Sequence, residues 1–406
     1  MKILPVALGA LSLLLGAGLV VVFNKPGQKR QAVHQPPPAN AAIDFESSSK
    51  RVPLIKQPNP RGNDVKMTAT SAPNGVDQRW AQWNDDGLAA LEAGQHKKAV
   101  ELFDACHAGV PDEPVFTQNL AEALARLAAF EFSSDASAQR HRAIEHMTRA
   151  VELAPLRDDL KRRLEQMKTL LASEQGMWTD ESEHFQLSYD GERRDLLGGA
   201  SVITNALEGA YQQFGELFGF YPVENGRPKI RVVLYRRGEF HDATGMGHWA
   251  GGLYDGTVRV PVEDLKSEKG ALTRVLRHEL THAFVHAAGG TNVPGWLNEG
   301  LAQRLEFDSM AHAQTALESA RRELRGVELI PLDAMKGSLS ELKDEKKIAQ
   351  AYRQALTFVA WLEFTYGDRV PYQLVAGHKE GGVAQAFEKA IGVKLSAALD
   401  DFAQGL

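Results

Sequence analysis

The sequence predicts an α+β chain, and three observations carry that reading. Helical periodicity fills the stretch from Gly75 to Ser173. At Trp178 the pattern switches to short alternating and β-branched runs of the kind that pair as strands. From Gly270 onward the chain reads as helices again. A sheet followed by a run of helices is the α+β arrangement.

Composition narrows the function classes. The 406 residues are 43% hydrophobic and 24% charged, as in ordinary globular chains and unlike disordered or collagenous ones. A net charge of −6 lacks the basic footprint that nucleic-acid binding needs. The single cysteine, Cys106, excludes an intramolecular disulfide and a thiolate zinc cluster, and leaves the redox compartment open.

Residues 1–23 read as a membrane anchor. Ile3 to Phe23 carries no charge, with Lys2 before it and Lys25, Lys29 and Arg30 after it. Its 21 residues reach about 30 Å as a helix, enough to cross a bilayer. No small-residue cleavage site follows, which favours an uncleaved anchor over the alternative, export after signal cleavage. The flanking charges leave the orientation open. The soluble part is expected on the extracytoplasmic side, a bacterial periplasm, by analogy with other tethered domains. Residues 24–74, with Pro36-Pro37-Pro38 and Pro58-Asn59-Pro60, hold too few large apolar side chains to offset ordering entropy and read as a flexible linker.

Residues 75–173 read as an all-α domain. Trp83, Gly87, Ala99, Phe103 and Pro111 are spaced so that small residues let two helices approach and aromatics fill the gap. Ala143, Met147, Ala150 and Pro155 repeat the second half of that spacing, and Leu156 to Leu171 forms a closing helix. This pattern resembles the tetratricopeptide repeat, with Asp86 and Ala90 as departures, and the resemblance implies a surface for a protein partner. An unrelated helical bundle is the alternative. Cys106 falls at a helix contact and reads as a buried, inert thiol.

Beyond Trp178, His184 to Tyr189 alternates as a half-buried strand and Leu196 to Phe218 has helical periodicity. Lys229 to Tyr235 is a β-branched strand. Trp249 to Tyr254 and Thr257 to Val260 form a hairpin turning at Asp255-Gly256. A helix from Gly270 to Ala288 follows, carrying His278-Glu279-Leu280-Thr281-His282. Positions i and i+4 share one helix face, so the two imidazoles can grip one cation with Glu279 beside it. Pro294-Gly295 breaks the chain, and Glu299 on the next helix, 17 positions after His282, returns a carboxylate to the same ion. Two imidazoles and one carboxylate leave a fourth position open, the catalytic rather than structural arrangement for zinc (Zn2+).

The pair His278-Glu279-Leu280-Thr281-His282 and Trp296-Leu297-Asn298-Glu299-Gly300 resembles the gluzincin zinc peptidases, in particular their smaller peptidase MA-like domains, over residues 178–406. The resemblance implies a thermolysin-like fold with a small mixed sheet, an active-site helix and a helical C-terminal part. It implies His278, His282 and Glu299 as zinc ligands, Glu279 as general base, Asn298 as a neighbour of the metal shell, and a peptide or protein substrate. Two residues depart from the family. Gln303 stands where thermolysin-like enzymes carry an Asp, so another group must orient a ligand imidazole. Ala250-Gly251-Gly252-Leu253-Tyr254 stands where aminopeptidases hold the substrate amine with Glu, which argues against aminopeptidase specificity. The resemblance also makes Tyr352 the candidate oxyanion donor, since related enzymes place a Tyr on a helix after the ligand Glu; His248 and His241 are its rivals. The strand from Trp249 to Tyr254, with its glycines, is a candidate edge for an extended peptide.

His286 extends the His278–His282 series but would lie about 12 Å along the axis from His278, too far to share an ion. It reads as structural, and Glu306 as a solvated acid or a neighbour of the metal shell. The expectation is therefore a membrane-tethered zinc endopeptidase. The alternative is a weakly active or inactive peptidase-like scaffold that assembles partners through its helices.

Overall fold

Five helices open the described chain: α1 Gln78–Glu92, α2 His96–Gly109, α3 Pro114–Phe132, α4 Ser137–Leu153 and α5 Asp158–Ser173. The structure, a computed structural model, describes residue 71 and residues 77–133, 137–223, 228–246, 250–290, 292–342 and 344–406. The expected anchor, nearly all of the linker, His248, and Trp249 at the start of the expected hairpin lie outside the described residues. No helix of the described residues is long and apolar enough to cross a membrane.

Asp77 caps α1 by accepting the N–H of Arg79 at 2.8 Å, and Pro114 opens α3 behind its cap Glu113. A Cβ on Gly87 would lie 2.7 Å from the Phe103 ring, so only glycine lets α1 and α2 come this close. Asn119 donates to Asn84 at 2.7 Å inside the core, fixing α3 on α1. Cys106 is buried at this packing, and burial pushes its thiol up to about 11. Such a thiol is not a nucleophile at neutral pH.

The chain then builds a mixed five-stranded sheet. Its strands are β1 Trp178–Glu181, β2 Phe185–Tyr189, β3 Ile230–Tyr235, β4 Leu253–Tyr254 and β5 Val258–Pro261, in the order β1-β2-β3-β5-β4. β2, β3 and β5 run parallel, with Leu187 opposite Val232 and Leu234 opposite Val260; β1 and β4 close the edges antiparallel. The fold is α+β. Strand β1 was not legible in the sequence because all four of its residues are exposed and no alternation marks it. The stretch read as one helix from Leu196 to Phe218 is two, α6 Arg194–Leu197 and α7 Ala200–Phe218. A Cβ on Gly199 would meet Leu265 at 2.0 Å, so the break makes room for the start of the next long helix. A short helix, α8 Arg237–Thr244, bridges β3 and the hairpin and buries Phe240 and Ala243.

Alternation along the strands makes the sheet a middle layer. Phe185, Leu187, Tyr189, Val232, Leu234, Val258 and Val260 share a core with α7 and with α9, Leu265–Gly289. Val233, Tyr235 and Leu253 point the other way, into a core formed with α3, α4, α5 and α8. The helix expected from Gly270 starts at Leu265, because Asp264 accepts the N–H groups of Lys266 and Ser267 and caps it there. After α9 come α10 Gly295–Leu305, α11 Met310–Leu324, α12 Glu345–Tyr366, α13 Val370–Gly377, α14 Val383–Ile391 and α15 Leu395–Gln404. Glu363 on α12 takes Arg304 of α10 at 2.8 Å and the hydroxyl of Tyr372 of α13 at 2.9 Å, locking three helices at one buried point.

Candidate metal centre

Two helices supply the site, and close backbone approaches hold them in register. α9 carries His278, Glu279 and His282; α10 carries Glu299. A Cβ on Gly295 would lie 2.0 Å from the carbonyl oxygen of Gly337, so only glycine can begin α10 at this depth. A Cβ on Gly300 would lie 2.6 Å from the carbonyl of Ala355, which presses α10 onto α12. Buried Arg277 donates to the carbonyls of Leu305 and Phe307, at 3.0 and 3.1 Å, and pins the far end of α10 to α9.

Among the described residues, His278, His282 and Glu299 bring one donor atom each to within 4.8 Å of one another. Glu299 Oε2 stands 3.5 Å from Nε2 of His278 and 3.8 Å from Nε2 of His282. Ligands about 2.1 Å from a tetrahedral zinc ion are separated from each other by about 3.4 Å. Both distances from the carboxylate oxygen to the imidazole nitrogens are close to that value, so the donor set suits such an ion. His282 and Glu299 are each only 2% exposed, so these donors are withdrawn from solvent.

Each imidazole is turned by a partner on α10 or by Glu306, the residue that caps the C-terminal end of that helix. Nδ1 of His282 donates to Oδ1 of Asn298 at 2.8 Å, and Nδ1 of His278 donates to Oε2 of Glu306 at 3.1 Å. A proton fixed on Nδ1 leaves the Nε2 lone pair for a cation. Arg274 in turn donates to Oε1 of Glu306 at 2.6 Å. Gln303 takes no part: its amide donates to the carbonyl of Tyr352 at 2.9 Å and so ties α10 to α12. The orienting acid that Gln303 cannot supply comes from Glu306, one turn further on. A sequence signal existed, since Arg274, His278 and His282 recur every fourth residue on one face of α9. What the sequence withheld was the crossing of α9 and α10 that brings Glu306 to that face.

The electrostatics also suit a cation. Burial opposes a charge on His278, but hydrogen bonds to Glu299 and Glu306 and the charge of Glu279 outweigh it and hold the imidazole up to about 10. Without a metal, a proton on His278 offsets part of the carboxylate charge. Its folded value lies above the ordinary histidine value near 6.5, so its contribution to stability is complete below about 6.5 and is lost as pH rises through about 10. Binding a divalent ion must expel that proton. At pH 8, calorimetry in buffers of different ionisation enthalpy is expected to show about one proton released per ion, fading above pH 10. Zero release at pH 8 would contradict this account of the site's charge.

Gly252 of the hairpin segment touches the same helix. A Cβ there would lie 2.9 Å from both Cγ and Oε1 of Glu279 and 2.8 Å from Val275. The missing side chain thus makes room for Glu279, a use of this glycine that composition alone does not reveal. His286 lies beyond the donor group, its ring edge-on to Tyr254 of β4 with centroids 6.1 Å apart. His241 sits on α8, among the residues on the opposite face of the sheet, with Nδ1 3.1 Å from the carbonyl of Met246. It is not assembled with the metal donors. Tyr352 is half-buried on α12, its carbonyl bound to Gln303 beside Glu299. No protein-family model matches the chain, and no curated protein matches it.

Proposed function

We propose that this protein is a membrane-tethered, zinc-dependent peptidase of the gluzincin type, with a thermolysin-like domain over residues 178–406. The observation that carries the reading is the convergence of one donor atom each from His278, His282 and Glu299 to within 4.8 Å, with Glu279 on the same helix as the two histidines. A zinc ion held there would polarise a scissile carbonyl and lower the pKa of water towards about 7. Glu279 then holds the proton taken from that water and delivers it to the leaving amine. Tyr352, carried on α12 against α10, is the proposed donor to the developing oxyanion. The polypeptide would lie along the edge strand β4, where backbone groups face outward for pairing. The helical half, packed on the other face of the sheet, is the proposed docking surface for a protein partner or substrate.

The scaffold alternative rests on two features, Gln303 in place of an orienting acid and the lack of a recognisable substrate-amine site; the Glu306–His278 contact answers the first and leaves the second standing. Metal content and hydrolysis of an unfolded protein such as reduced casein test the proposal together. One zinc per chain, and cleavage that a chelator stops and zinc restores, is the expected result. Zinc bound without cleavage of any unfolded substrate would return the scaffold reading; no zinc at all would end both.

Gly252→Ala gives a sharper check on geometry. The added methyl must displace Glu279 or the hairpin, and a misplacement of about 1 Å costs about a hundredfold in rate. Zinc content should stay at the wild-type level, because Gly252 touches no donor of the metal group. Unchanged turnover would show that Glu279 does not act from this position.

A further inference from the structure

The sheet face turned away from α9 carries a second polar centre. Gln186 and Ser188 of β2, Arg231 of β3 and Arg259 of β5 project there, since their strand neighbours Leu187, Val232, Val258 and Val260 fill the core on the α9 side. Arg140 of α4 reaches the same place. All three arginines converge on Glu174, the residue that ends α5. Arg140 and Arg231 each lie 2.7 Å from its Oε2, and Arg259 takes Oε1. Their exposures are 6%, 4% and 0%. Arg259 has a further carboxylate, Asp255, at 3.0 Å.

The charges do not balance. Among the described residues three buried guanidinium groups face two carboxylates, and Arg140 and Arg231 share a single oxygen of Glu174. Among the described residues the Nε of each has no hydrogen-bond partner. Burial pulls Arg140 down to about 10; Glu174 opposes the shift, and Arg231 and Arg259 add to it. An unbalanced buried cation is costly unless something neutralises it.

A cavity of about 570 Å3 opens beside this cluster, between α4, α5 and the first three strands. Ser137, Arg140, Lys168, Gln186, Ser188 and Arg231 are among its walls, and among the described residues Glu174 is the sole carboxylate lining it. Its size suits a small organic molecule. Its chemistry, with hydroxyl and amide donors around an excess of positive charge, suits an anion.

We propose that this cavity is a binding site for a small organic oxyanion, whose charged oxygens meet Arg140 and Arg231. A phosphate ester and a carboxylate present the same charged oxygens, and titration separates them. The ligand would bridge the helical half and the sheet, on the face opposite the metal donors, so the proposal stands independently of the peptidase reading.

The full chain is titrated calorimetrically, at constant ionic strength set with chloride, with inorganic phosphate, glycerol 3-phosphate and succinate. Saturable binding of at least one, with Kd below about 1 mM, is expected. Preference for the phosphates or for succinate identifies the ligand chemistry, and either supports the site. Arg140→Gln should weaken binding about tenfold or more, as expected for loss of a charge-assisted hydrogen bond. Lys168→Gln, on the exposed rim and outside the buried cluster, should weaken it about threefold. If Arg140→Gln does not fold, Lys168→Gln decides. No saturable binding of the three anions, or affinities unchanged in the folded variants, overturns the proposal.

Discussion

Glu279→Gln is expected to lower turnover of an unfolded protein substrate by about a thousandfold while leaving zinc content at the wild-type level. The two halves of that expectation come from different parts of the geometry. Glu279 is 5% exposed and lies on α9 between the two imidazoles in sequence, yet it is not among the three residues whose donor atoms cluster. Gln has the same shape, so it fits the space left by Gly252 and should not disturb the helix. It cannot take up a proton, which is the whole of the role assigned to Glu279. Zinc per chain by mass spectrometry, measured on the same preparation as turnover, keeps the two effects apart. A variant with full zinc and full turnover would remove Glu279 as base; one that lost its zinc would show instead that the carboxylate helps hold the ion.

The constituents of this site differ in how far the sequence reveals them, and the difference follows from chain distance. His278 and His282 are read from helical periodicity, because one element fixes their relation. Glu299 is read from the turn at Pro294-Gly295, because a short loop limits where α10 can go, and Asn298 only from the family resemblance. Glu306 was visible only as an acid two turns beyond Glu299; its hydrogen bond to His278 depends on the crossing of α9 and α10, which Arg277, Gly300 and Gly295 set through contacts spanning 28 residues or more. Gly252 and the Glu174 cluster lie further out still. Arg259 and Glu174 are 85 residues apart, and nothing in the local pattern around either announces the other. Secondary structure divides the same way. Alternation gave β2 and a β-branched run gave β3, whereas exposed β1 carried no such signal, and the start of α9 depended on a cap at Asp264 rather than on the apolar pattern.

The second large effect is expected at Glu299, and Glu306 provides its scale. Glu306→Gln keeps an oxygen that can accept from Nδ1 of His278 but removes the charge, and loss of such an orienting partner costs about 10- to 100-fold in metal affinity. Glu299→Gln replaces a charged oxygen donor, 3.5 and 3.8 Å from the two imidazole nitrogens, by a neutral amide at the proposed ion itself, so its cost should exceed about a hundredfold. Both substitutions take a carboxylate away from His278, and the hydrogen bonds of both help hold that imidazole up to about 10. Each should therefore lower the pH at which His278 gives up its proton, and proton release on zinc binding at pH 8 should fall in both. Competition with a chromophoric zinc chelator at pH 8, together with proton counting, reads the two quantities in one preparation. Equal zinc affinity in wild type and Glu299→Gln would mean that the carboxylate is only an ion-pair partner of the histidines, and the centre would then lack the third donor that a catalytic zinc site requires.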